Sequence, residues 1–159
     1  MNRECIFTVT AINLLRRLIV RYWLRFPTGN EWLVQSIIGI NHHALGIISW
    51  DDPTPSDIKS AASSLAKSLP SMIPFIFNAD ATFSNLTSNR IDVGLWTVGS
   101  QTLLLAANLN YDEAYLDLNN LPTGVKHTKV AQIFDGGAKV NGESITFQST
   151  GTGAFLLSS

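Results

Sequence analysis

One stretch limits what this chain can fold into: Ala44-Leu45-Gly46-Ile47-Ile48-Ser49-Trp50, followed by Asp51-Asp52-Pro53-Thr54-Pro55-Ser56-Asp57. Residues 44–50 are nearly all apolar and do not alternate with polar ones. Such a run suits a strand covered on both faces, as in a parallel sheet. Gly46 and the flanking turn residues favour strand over buried helix. Thr54 then fits a helix N-cap, Pro55 the first helical position and Asp57 the third. In that arrangement the Thr54 hydroxyl accepts an orphan amide, and Asp57 sits at the positive end of the helix dipole. Ile58, Ala61, Ala62, Leu65 and Leu69 form the apolar stripe of the helix that follows.

The same grammar occurs just upstream. Thr28 and Glu31 have capping-box spacing, and residues 28–41 are helical in character. Asn41, His42 and His43 make a short loop into Ala44. Helix, buried strand, helix is the order of an α/β sheet or barrel. One parallel strand cannot make a sheet by itself, and no segment of that kind follows residue 57.

Composition narrows the function classes. The chain has 159 residues, 45% of them hydrophobic and only 14% charged, against ~25% charged in ordinary soluble domains. Low charge with many Ser, Thr, Asn and Gly suits a secreted protein. The net charge of -1 and the absence of a Lys/Arg run argue against a nucleic-acid partner. Cys5 is the single cysteine, which excludes an internal disulfide framework and a cysteine-based zinc site. Asn85-Leu86-Thr87 is a glycosylation sequon, of consequence if the chain enters the secretory pathway.

Residues 1–25 read as an irregular or helical extension. The apolar part, residues 5–15, is about half the ~20 residues needed to span a bilayer. Arg16, Arg17, Arg21 and Arg25 follow it, whereas a signal peptide carries its positive charge before the apolar run. A membrane-associated basic helix is the less favoured reading. The second helix is expected over residues 55–69, stopped by Pro70, with residues 71–78 as a packed linker.

After Asn78 the period changes. Ile91, Val93, Leu95 and Thr97 alternate with Asp92, Gly94, Trp96 and Val98. Gly99-Ser100 suits a two-residue hairpin turn, and Asn141-Gly142 is a strong hairpin signal between residues 139–140 and 144–147. Further strands are expected at 102–109, 114–118, 129–134 and 153–157, with Asp135-Gly136-Gly137 as a turn. Seven or eight short strands in about 80 residues make a small antiparallel sandwich.

Tyr22-Trp23-Leu24-Arg25-Phe26-Pro27-Thr28, the run from Ala44 to Pro53, Val93-Gly94-Leu95-Trp96 and the terminal Gly153-Ala154-Phe155-Leu156-Leu157 resemble the tail of fungal secreted glycoside hydrolases. In those enzymes a (β/α)8 barrel precedes a C-terminal β-sandwich. The resemblance covers roughly residues 22–159. It implies an α+β fold overall: residues 26–78 as the terminal helix-strand-helix of a TIM-type barrel and residues 79–159 as an antiparallel β-sandwich. Residues 28–41, 44–50 and 55–69 become helix seven, strand eight and helix eight.

Barrel active sites lie at the C-terminal ends of the strands. The resemblance therefore puts Trp50, Asp51 and Asp52 at the catalytic mouth as substrate-binding residues. Trp50 would offer its face to a sugar ring, and the aspartates would accept hydroxyl hydrogen bonds. The structural alternative has Trp50 capping the barrel core and the aspartates making the turn.

Glycosidases need two carboxylates roughly 5–9 Å apart, and relatives of this architecture carry them on strands four and seven. Strand four is missing here, and no carboxylate occurs between Glu4 and Glu31. The expectation is a C-terminal fragment of a glycoside hydrolase, inactive alone, with no catalytic residue, cofactor or metal of its own. Carbohydrate and an extracellular location belong to the full-length parent. The alternative is a non-catalytic β-sandwich for carbohydrate binding or domain packing, with Trp96 and Tyr111 as the aromatics to watch. His42, His43 and His127 lack metal-ligand spacing. Glu31 is better explained as a helix cap than as a partner of Asp51 or Asp52.

Overall fold

The computed structural model describes residues 27–48 and 54–159. The N-terminal extension and residues 49–53, with Trp50, Asp51 and Asp52, lie outside the described residues. Two helices, α1 (Gly29–Asn41) and α2 (Ser56–Ile76), precede six strands: β1 (Thr82–Ser88), β2 (Ile91–Val98), β3 (Gln101–Asn108), β4 (Ala114–Asp117), β5 (Lys129–Asn141) and β6 (Ser144–Ser158).

α1 begins as its sequence requires. Glu31 N–H donates to Thr28 Oγ1 at 3.2 Å, and Thr28 N–H donates to Glu31 Oε2 at 2.7 Å. This is the reciprocal capping box, which satisfies two orphan amides. The helix ends in a Schellman motif: Ala44 N–H reaches Gly39 O at 2.8 Å and His43 N–H reaches Ile40 O at 3.0 Å. The left-handed position of that motif is held by His43, at φ 70°.

The expected strand does not form over residues 44–48. They carry no regular structure, and Leu45 and Ile48 are 79% and 62% exposed. A strand needs a neighbour to take its amides and carbonyls. Among the described residues the whole sheet is built from segments after residue 81, and none reaches this run.

α2 departs from expectation at both ends. Pro55, not Thr54, stands at the N-cap position, without a side-chain cap bond. Asp57 turns to the other helix, where Asp57 Oδ2 accepts the Gly29 N–H at 2.8 Å. At the far end the helix runs through Pro70 and Pro74 to Ile76. Each proline removes one backbone bond. The two prolines are four residues apart on the exposed side, so the freed carbonyls lie toward water. On the opposite side Leu65, Met72 and Phe75 are buried, and that burial holds the last two turns.

The β region is one curled antiparallel sheet of six strands, rather than two separate sheets of seven or eight short ones. β1, β2 and β3 form a meander. Its turns are Asn89-Arg90, both at positive φ, and Gly99-Ser100, with Gly99 at φ 59° as the expected hairpin needs. β6 organises the rest. Residues 144–147 of β6 pair with β4, residues 152–157 pair with β3, and β5 follows β6 along nearly its whole length. Between the two halves, at 148–151, β6 bends, with Thr150 at φ 50°. Asp135-Gly136-Gly137 is therefore not a turn. β5 passes through it with register shifts at Gly136 and Gly137, bulges that let β5 follow the bend.

The bend folds the sheet over itself around one apolar cluster, which includes Ile91, Val93, Leu95, Leu104, Leu116, Ile145, Phe147 and Phe155. The other face of β2 and β3 is covered by the helices. There Leu33, Ile37, Leu65 and Met72 pack with Trp96, Leu103, Leu105 and Phe134. This second cluster draws on residues before and after Asn78. Because both faces are covered, residues 91–96 are all buried. The alternation in that strand sorts side chains between two cores, not between core and water.

Candidate functional site

Where α1 ends on the sheet, three polar residues meet. Asn41, the last residue of α1, is 1% exposed and Asp92 of β2 is 5% exposed. Asn41 Nδ2 donates to Asp92 Oδ1 at 2.7 Å and to Leu105 O at 3.1 Å. His42 Nε2 lies 2.9 Å from Asp92 Oδ2. The buried carboxylate thus has a partner on each oxygen, as a buried charge requires.

The asparagine's other atom has no partner: Asn41 Oδ1 is buried without a hydrogen bond. It lies over Gly94, where a β-carbon would come within 2.5 Å of it. The glycine Cα–H on that side faces the oxygen, a weak contact. Gly94 is what lets the α1 C-terminus approach the sheet so closely.

The cluster has the His–carboxylate part of a hydrolytic relay. Among the described residues no serine, threonine or cysteine bonds to His42 as a nucleophile would. The His42 side chain is 53% exposed, at the rim. The arrangement joins a helix end to two strands. Asp92 was visible in the sequence only as one polar position in an alternating strand. The signal that could have marked it is Gly94, a glycine inside a strand and two residues away on the same face.

The other candidates separate. Trp50, Asp51 and Asp52 lie outside the described residues. Asn85 is exposed on β1. His43 packs edge-on against Phe83, ring centroids 4.6 Å apart, and Phe83 in turn meets Trp96 at 4.8 Å. His127 Nδ1 is 3.4 Å from Val125 O, far along the sequence from His42 and His43. Among the described residues no three His, Cys, Asp or Glu side chains are grouped to hold a metal ion. Trp96 is 4% exposed and belongs to the core. Tyr111 is 71% exposed and its hydroxyl donates to Glu31 Oε1 at 3.0 Å. Glu31 therefore caps α1 and also ties it to the loop before β4.

An open groove of about 700 Å³ runs along the N-termini of both helices and the β5 bulge. The two carboxylates lining it are each occupied by a backbone amide, Asp57 by Gly29 and Asp135 by Gly137 at 2.9 Å. The close approach is set by Gly29, where a β-carbon would lie 2.7 Å from Asp57 O. The first bond joins the two helices and the second lies within the β5 bulge, and these groups present no convergent acid and base.

No protein-family model matches the chain, and no curated protein matches it. Several solved structures are similar over part of it. The trehalose-6-phosphate hydrolase TreA of Bacillus licheniformis has a TM-score of 0.49 at 12% identity, over 67% of this chain and 19% of that one. An isomaltulose synthase variant of Erwinia rhapontici, solved with D-glucose, has a TM-score of 0.48 at 16% identity, over 69% of this chain and 19% of that one. Amy13B of Eubacterium rectale has a TM-score of 0.42 at 13% identity, over 54% of this chain and 17% of that one. The chain spans about a fifth of the length of the solved chains it is similar to.

Proposed function

We propose that this chain is the C-terminal portion of a glycoside hydrolase, and that it does not cleave glycosides on its own. In this reading residues 79–159 are the β-module that follows the barrel. α1 and α2 are helices of the barrel's outer layer, docked on that module through Leu33, Ile37, Leu65 and Met72. In the full-length parent residues 44–50 would become the barrel strand between them. In the full-length parent, a secreted enzyme of fungal type, Trp50, Asp51 and Asp52 would line the mouth and meet the carbohydrate.

The observation that carries this reading is the exposed apolar run between two well-docked helices. Leu45, Ile47 and Ile48 are all exposed, although each would gain on the order of 1.5–3 kcal/mol from full burial. Both flanking helices bury their stripes normally. An apolar inner strand without its neighbours, between outer helices with theirs, is what a barrel cut before its last strand would leave.

Sequencing the transcript upstream of Met1 tests the reading. An open frame continuing into further strand–helix units with acidic strand ends is expected. An in-frame stop directly upstream would overturn it. Incubating the purified chain with a panel of aryl glycosides tests the second half, with no hydrolysis above the blank expected.

The alternative, a non-catalytic β-module for carbohydrate binding or domain packing, loses Trp96 to the core. For binding it keeps Tyr111 and Tyr115, both exposed. Retardation of the chain in polysaccharide gels, lost in Tyr111→Ala, would favour it.

A further inference from the structure

We propose that Asn85 is an N-glycan acceptor and that the glycan shields the free edge of the sheet. Asn85-Leu86-Thr87 is the one Asn-x-Ser/Thr triplet in the 159 residues. It falls on β1, which pairs only with β2, so the outer edge of β1 has no strand partner among the described residues. Asn85 and Thr87 are both exposed and, two residues apart on a strand, share one face. Leu86 between them turns to the other face and packs on the interior cluster. Neither the Asn85 amide nor the Thr87 hydroxyl makes a hydrogen bond among the described residues.

The edge itself supplies a reason for a glycan. β1 reads Thr-Phe-Ser-Asn-Leu-Thr-Ser, seven residues without a charge or a proline. Edges of this kind are normally blunted by Lys, Pro or a bulge, because they template pairing with another chain. A bulky hydrophilic group at the middle residue would do the same. In the transfer, Asn85 Nδ2 attacks C1 of an oligosaccharide carried on a lipid pyrophosphate. The N–C1 bond forms, the C1–O bond to pyrophosphate breaks, the lipid pyrophosphate leaves, and the amide proton passes to a base of the transferase.

The test is secretion of the full chain from a eukaryotic host behind a cleavable signal, read by intact mass before and after peptide N-glycosidase. Wild type and Thr87→Ser should each lose one glycan, whereas Asn85→Gln and Thr87→Ala should be secreted without one. Light scattering should show more self-association for both unglycosylated variants than for wild type. A secreted wild type without glycan, a glycan that persists in Asn85→Gln, or unchanged association would overturn the proposal. A peptide spanning residue 85 recovered unmodified from the native source would overturn it as well. Each of these failures leaves the upstream-frame test of the parent enzyme untouched.

Discussion

Residues 103–107 (Leu-Leu-Leu-Ala-Ala) and residues 44–48 (Ala-Leu-Gly-Ile-Ile) are apolar runs of the same length. The first is completely buried in β3, with β2 on one side and β6 on the other. The second follows a helix, pairs with nothing among the described residues, and leaves its large side chains in water. Apolar character is common to both. The difference is the supply of strand neighbours and of cover for two faces. A run of this kind becomes a strand only where other segments satisfy its amides and carbonyls.

The sharpest way to break the comparison is to truncate one leucine in each run. Leu104→Ala removes a fully buried side chain and should cost about 2–5 kcal/mol in urea unfolding. Leu45→Ala should change stability by less than ~0.5 kcal/mol, while Leu45→Ser with Ile48→Ser should reduce self-association. Equal losses at Leu104 and Leu45 would mean that residues 44–48 are packed in solution.

A smaller effect is expected where the helix end meets the sheet. Gly94→Ala would push a methyl into Asn41 Oδ1 and should cost roughly 1–3 kcal/mol. Asp92→Ala leaves the buried Asn41 amide short of an acceptor and should cost about 1–3 kcal/mol. His42→Ala, removing the half-exposed partner of the same carboxylate, should cost at most ~1 kcal/mol. A His42 effect as large as that of Asp92 would mean the ring is part of the buried network and not its rim.

The smallest effect belongs to the link between the two runs, the helix end at His43. His43→Gly relieves the left-handed backbone, worth about 1–2 kcal/mol. It also removes the ring contact with Phe83, worth about 0.5–1.5 kcal/mol. The two should nearly cancel, leaving the unfolding midpoint within a degree or two of wild type. A clear gain would show that the Phe83 contact contributes little.

Much of the local chemistry was legible from the chain alone. The Thr28–Glu31 capping box, the positive φ at Gly99 and the hairpin at Gly142 each join residues two or three apart, so composition at the right spacing settles them. The stripe of α2 through Ile58 and Leu65 was legible for the same reason. Pro70 misled because its local penalty is countable in sequence, whereas the burial of Met72 and Phe75 against a sheet that starts at residue 82 is not. Asp92 misled because strand alternation says which residues share a face and is silent on what covers that face.

What the sequence by itself determined, then, is where helices start, where hairpins turn and which side chains are apolar. Only the tertiary structure decided which apolar run becomes a strand and that β6 bends at 148–151 to fold one sheet over itself. It also decided that Asn41, His42 and Asp92 meet. The physical reason is range. Caps and turns are satisfied by neighbours along the chain, while the β3–β6 pairing, the buried carboxylate and the covered sheet faces depend on partners far along the chain, as Asn41 and Asp92 are.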